Sequence, residues 1–253
     1  MATINGEAGR RAATIALAKQ RSMFAKVLTA SLLGVALLCF LAGWCIARQG
    51  PMAWLVLLAL FVLVGGIAIL DKKFNRLIDR EMWEARVWRR GADGERMVGE
   101  MLKTELPDTY CVFNDVCFPG RKANIDHLVV GPSGVFVLNT KNWRGMVGWS
   151  EDGKTLLWNG APDTKNTINS ALAEAMKVRE IIHTLVNRDV YVKAVLVFPL
   201  AKVFPRLNMS VDLQQDDYLI EKRLKYIDKR TALAEKDVQE IKQALLALFR
   251  KSI

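Results

Sequence analysis

The sequence predicts an α/β (α+β) protein, a domain of helices and strands preceded by an N-terminal transmembrane helical hairpin. Three observations lead to this. Two long uncharged stretches lie close together near the N-terminus, a strand–turn–strand pattern sits at the centre, and helical periodicities flank that centre on both sides. The 253 residues are enough for one ordinary domain plus an additional segment. A hydrophobic fraction of 51% beside 25% charged residues means that the two kinds are segregated along the chain.

Residues 27–47 form a 21-residue stretch without charge, and residues 53–70 form another of 18. A bilayer core asks for about 20 residues of helix, with a range of roughly 17–25. The Gly50-Pro51 pair between them suits a tight turn. Five Lys and Arg precede the first stretch, only Arg48 lies in the loop, and seven follow in residues 71–90. Basic flanks stay cytoplasmic, and Trp44 and Trp54 sit where interfacial aromatics would. The expected organisation is therefore a basic cytoplasmic segment at 1–26, a hairpin at 27–70, a helical stalk at 71–90 and a cytoplasmic domain at 91–253. This would be a multi-pass protein of the inner membrane, with the bilayer as a partner and both termini inside.

The net charge of +10 follows the same division, because residues 91–253 hold 23 basic and 21 acidic residues. Most of the excess flanks the expected spans, where anionic headgroups attract it, so it is weak evidence for nucleic acid. The four cysteines make no metal or disulfide framework: Cys111 and Cys117 are six apart with no matching CxxC pair. No P-loop, GxSxG, HExxH or kinase signature is present.

The stalk carries Phe74, Leu77, Ile78, Met82 and Trp83 at helical spacing. GADG, residues 91–94, is expected to break it, and a new helix is expected over 95–106 with Val98, Met101, Leu102 and Leu106 as its apolar stripe. Glu95 projects onto that stripe. One explanation is electrostatic, since the first turn of a helix favours a carboxylate; the other is a functional acid.

After a strand over 112–118, NIDHLVV and VFVLNTK are joined by GPSG and read as a hairpin. With Pro132 and Ser133 at the turn, Gly131 pairs with Gly134, Val130 with Val135, Leu128 with Val137 and Asp126 with Asn139. Opposed residues project from the same face about 5 Å apart, and Lys141 lies one step along on that face. His127 points the other way. Asp126, Asn139 and Lys141 therefore converge, and with Glu95 nearby they offer an oxygen-rich place for Mg²⁺ or Mn²⁺. Such an ion lowers the pKa of bound water and steadies charge on a phosphate, with the lysine assisting the water. The plainer reading is a strand edge carrying ordinary solvent-facing polar groups.

GADGERMVGEMLKTELP, NIDHLVVGPSGVFVLNTKNWRG and VYVKAVLVFP resemble the nuclease-related (NERD) domain, regarded as a branch of the PD-(D/E)xK nuclease superfamily. The resemblance covers roughly residues 91–200. It implies a mixed sheet flanked by helices, restriction-endonuclease-like, with metal-dependent phosphodiester chemistry. Residue by residue, it makes Glu95 the helix acid, Asp126 the hairpin aspartate and Lys141 the lysine of the (D/E)xK element. Glu95, Asp126 and Asn139 would be the metal ligands. Asn139 departs from the pattern, which has Glu or Asp there. Trp158 and the segment 166–170 resemble the family's tryptophan and its Asn-Pro-x-x-Gln helix start, with Thr167 for the proline and Ser170 for the glutamine.

Beyond the hairpin, residues 169–185 read as a helix with Ala171, Ala175, Val178 and Ile182 on one side, and 190–198 as a central strand. Helices are expected over 217–227 and 235–249, with a basic patch within 221–230 that is either a solvated face or a phosphate-contacting surface. His183 reads as structural. The function expected is a membrane-anchored nuclease cutting DNA or RNA with Mg²⁺. The alternatives are a catalytically degenerate relative that binds nucleic acid or a protein partner, and a scaffold with no nucleic-acid role.

Overall fold

The valine-rich alternation from Ile125 to Thr140 forms the centre of a six-stranded sheet. β-branched residues suit a pleated, two-sided surface, and here both sides are covered. In the computed structural model, β3 (Ile125–Gly131) and β4 (Gly134–Thr140) pair antiparallel with Gly131 opposite Gly134, Val130 opposite Val135 and Leu128 opposite Val137. This is the register the sequence predicts. The structure describes all residues except 48–52, 119–123, 206–210, 216–218, 227–230 and 251–253, and leaves out some helical side chains, chiefly between 30 and 75.

The hairpin sits inside a six-stranded mixed sheet of order β1-β2-β3-β4-β8-β10. Its other strands are β1 (Thr3–Asn5), β2 (Cys111–Val116), β8 (Val192–Val197) and β10 (Asp212–Gln214). β1 on β2, β8 on β4 and β10 on β8 are parallel, while β2 is antiparallel to β3. The N-terminal residues are thus part of the sheet. A smaller four-stranded sheet has the order β7-β6-β5-β9. It is built from β5 (Gly145–Trp149), β6 (Leu156–Trp158), β7 (Ala161–Pro162) and β9 (Ala201–Val203).

Period-two alternation gives the large sheet two apolar faces. Leu128, Val130, Val135 and Val137 pack against α3 (Thr167–Val186) and α4 (Glu235–Arg250) through Ala171, Ala175, Val178, Ile182, Val238, Ile241 and Leu245. Val129, Phe136 and Leu138 pack on Val98, Leu102 and Leu106 of α2 (Ala53–Glu105) and on a π-helical turn at Leu219–Leu224. Each fully buried Val, Leu or Ile is worth about 1.5–3 kcal/mol, so the two faces hold the strands from both sides. The fold is mixed α/β, with mixed sheets packed against helices.

Two compact units divide the chain: residues 12–89, and residues 1–11 together with 90–253. In the first, α1 (Arg10–Ala47) lies beside α2, with Lys19 paired to Glu84, Lys26 to Glu81 and the Arg89 guanidinium donating to Gln20 at 3.1 Å.

Three expectations are corrected. The expected transmembrane hairpin, and with it the inner-membrane placement, is overturned: among the described residues no helix is long and apolar enough to cross a membrane. The uncharged stretches are parts of 38- and 53-residue helices that continue without interruption into charged turns. The expected turn at 48–52 lies outside the described residues. GADG does not break α2, which runs through it. Glycine costs a helix interior only about 1 kcal/mol, and Gly94 has a packing reason: a Cβ there would come within 2.9 Å of the Asn142 Cβ. Finally, the segment expected as a helix over 217–227 is a π-helical turn where it is described, and much of the basic patch lies outside the described residues.

Candidate active site

The hairpin ladder stops at His127 opposite Leu138. On this register the next bonded rung would join Thr140 to Ile125. Instead the Thr140 N–H donates to Asp126 Oδ2 at 2.7 Å, so the aspartate side chain takes the place of a backbone acceptor. The strands separate there, with Asp126 and Asn139 opposite one another in register. Lys141 follows, its backbone N–H held by the Val197 carbonyl at 2.8 Å.

Glu95 approaches from α2, on the far face of the sheet. One turn further along, Gly99 lets the helix lie against the N-terminal segment and His127, because a Cβ there would be 2.6 Å from the Ala8 Cβ and 3.6 Å from the His127 Cε1. This contact carries Glu95 to the sheet end where Asp126 sits. Since α2 is continuous, Glu95 is deep within a helix, and the favourable electrostatics of a helix N-terminus do not account for it.

The charges of these groups act on one another. Burial pushes the Glu95 carboxyl up to about 8, the charges of Asp126 and Asp115 push the same way, and Lys141 opposes them. Burial also pushes Asp126 up to about 6, opposed by Lys141 and the Thr140 N–H and reinforced by Glu174 and Asp115. The structure thus brings Glu95, Asp126 and Lys141 into one field, with Asn139 at its edge.

Two acids were not singled out in the sequence. Asp115 falls opposite Asp126 on the β2–β3 register, between the pairs Asn114–His127 and Val116–Ile125. Its φ of 53° is left-handed, which costs a non-glycine residue on the order of 1–3 kcal/mol. Its carboxylate is tied by the Arg11 backbone N–H and the Asn124 amide, both at 2.6 Å. Glu174, on α3, accepts a hydrogen bond from Asn139 Nδ2 at 3.1 Å. A signal for it existed: position 174 is three beyond Ala171 and four before Val178, on the apolar stripe, as Glu95 is on its own.

His127 faces the other way, as expected. It is buried, Nδ1 lies 2.8 Å from Asn114 Oδ1, and desolvation lowers its pKa to about 3. It remains neutral and structural. Trp158 donates its indole N–H to the Arg144 carbonyl at 2.8 Å and stacks on Trp143, with centroids 5.0 Å apart. At the segment 166–170, the Thr167 N–H is capped by Asp163 Oδ2 at 2.9 Å.

The residues suit a hard divalent cation in one specific respect. Glu95 Oε2 and Asn139 Oδ1 are buried without a hydrogen-bond partner, and a buried unpaired oxygen costs about 1–3 kcal/mol. A cation bound at either oxygen would satisfy it, and one beside Glu95 would relieve its repulsion with Asp126. Among the described residues no group of three or more His, Cys, Asp or Glu could hold a metal ion. Mg²⁺ does not require one, since it usually keeps several waters and uses one or two carboxylates.

Residues 90–199 match the family model for NERD, the nuclease-related domain. The chain thus carries a nuclease-related domain there. It is 38% identical over 65 residues to an uncharacterised protein of Bacillus anthracis, a match covering 24% of this chain and 31% of that protein. The chain therefore matches about a third of that relative's length. No solved structure matches it.

Proposed function

We propose that the nuclease-related domain hydrolyses phosphodiester bonds of DNA or RNA with Mg²⁺ or Mn²⁺. What supports this reading is that the charges of Asp126 and Lys141 act on Glu95, and that Glu95 Oε2 and Asn139 Oδ1 are buried and unpaired. Glu95 and Asp126 would hold the cation, and Asn139 Oδ1 would add a neutral oxygen. The bound cation supplies an acidified water and charge stabilisation at phosphorus. Lys141 would orient that water or stabilise the charge that builds on the phosphate. The Thr140 N–H holds the Asp126 carboxylate in one rotamer, so the site is supported by the sheet itself.

A second reading has its own support: Asn139 stands where the family pattern has an acid, and with Asn139 the site has one negative charge fewer. On that reading the domain is catalytically degenerate and binds nucleic acid or a protein. Plasmid nicking by the full chain distinguishes the two, using Mg²⁺ or Mn²⁺, an EDTA control and Asp126→Ala. Metal-dependent nicking lost in Asp126→Ala supports the nuclease. An inert wild type that gains metal-dependent cleavage on Asn139→Glu supports the degenerate domain.

A further inference from the structure

The departure at residue 139 has a structural counterpart on α3. Asn139 is only 7% exposed. Its Nδ2 donates to Glu174 Oε2 at 3.1 Å, and its Oδ1 is buried without a partner. A carboxylate can only accept hydrogen bonds, so Glu174 can meet only the NH₂ end of the amide. That single bond decides which end is which. It turns the oxygen away from Glu174 and leaves it out of water with nothing to bind. Glu174 is also close enough for its charge to act on Asp126.

We propose that Asn139 and Glu174 together replace one carboxylate. Asn139 supplies a neutral oxygen to a divalent cation, and Glu174, a positioning residue, holds the amide in that orientation and supplies the missing negative charge. The proposal rests on the metal-site reading above. It explains why an amide is tolerated at this position: the oxygen and the charge come from two side chains instead of one. An amide without Glu174 could turn its NH₂ toward the cation, which would repel it.

The test is Mn²⁺ binding to the full chain, read by electron paramagnetic resonance of free Mn²⁺, with folding checked by circular dichroism. The variants are Asp126→Asn, Glu174→Gln and the double exchange Asn139→Asp with Glu174→Gln. Removing an outer partner of a metal ligand costs roughly 10–100-fold in affinity, and Glu174→Gln is expected to weaken Mn²⁺ by that amount. The double exchange restores both a negative oxygen at 139 and a donor from 174, so most of that roughly 10–100-fold loss should be recovered. A purely structural role for Glu174 would not produce that rescue. If Asp126→Asn abolishes binding while Glu174→Gln binds as wild type does, the role of Glu174 is overturned and the site reading stands. If wild type binds no Mn²⁺, both are overturned. Should Glu174→Gln fail to fold, the double exchange decides alone: restored affinity supports the proposal and lost affinity overturns it.

Discussion

Asp126 Oδ2 accepts the Thr140 N–H at 2.7 Å, and this bond ends the central ladder of the sheet. A carboxylate in this position does two things. It closes off a backbone donor that the separating strands would leave unpaired, and it holds an acid, one whose pKa is raised to about 6, beside Glu95 and Lys141. The same residue therefore serves the fold and the proposed site.

Without metal, the contribution of Glu95 to stability should fall as pH rises from about 4.5 to about 8. Glu95 is raised from 4.5 to about 8, so across that window the folded state binds more protons than the unfolded one. The stability it contributes is fully present below 4.5 and is lost as pH passes through 8. Denaturation midpoints of wild type and Glu95→Gln, measured in EDTA across this range, test the point. The wild-type midpoint should decline more steeply than that of the variant, and parallel curves would count against a raised Glu95.

At pH 8, Glu95→Gln should melt at a higher temperature than metal-free wild type while losing the stabilisation that Mg²⁺ gives. Sites that crowd like charges commonly give up stability for function. Thermal melts with and without Mg²⁺ measure both effects. An unchanged Mg²⁺ response in the variant would remove Glu95 from the site.

His127 acts with the opposite sign. Its folded pKa is lowered to about 3 from 6.5, so its contribution is complete above 6.5 and is lost as pH falls toward 3. His127→Gln can still meet Asn114 but cannot take a proton. It should lose less stability than wild type between pH 6.5 and 3, as read by urea midpoints, and equal losses would contradict the burial argument.

Gly99→Ala weighs two effects against each other. Helix propensity favours alanine by about 1 kcal/mol, but the added Cβ would lie 2.6 Å from the Ala8 Cβ. Overpacking typically costs about 1–3 kcal/mol, so a net loss in urea denaturation is expected. A more stable variant would show that the N-terminal segment does not press on α2.

The hairpin was legible because two local signals agree: GPSG marks the turn, and period-two alternation places every Val and Leu from there outward. Asp126, Asn139 and Lys141 follow from the same count. Glu95 was legible as an acid on an apolar stripe, but its setting was not. Gly91 and Gly94 read as a helix stop until Asn142, some fifty residues later, shows why Gly94 is small. Asp115 is hidden by its left-handed backbone, a feature that asparagine and aspartate tolerate without announcing it. The three-residue β1 has too short a pattern to read, since parallel pairing with β2 is decided by tertiary contact alone. The expected spans fail because, among the described residues, no helix is long and apolar enough to cross a membrane.

The most direct measurement is the rate of Mg²⁺-dependent plasmid nicking by the full chain, wild type against Asp126→Asn. The asparagine keeps an oxygen for the Thr140 N–H, so the sheet is preserved while the charge is removed. A fall of at least about 100-fold, beyond what loss of an outer metal partner causes, is the predicted result. Nicking that continues at the wild-type rate in Asp126→Asn would contradict the site.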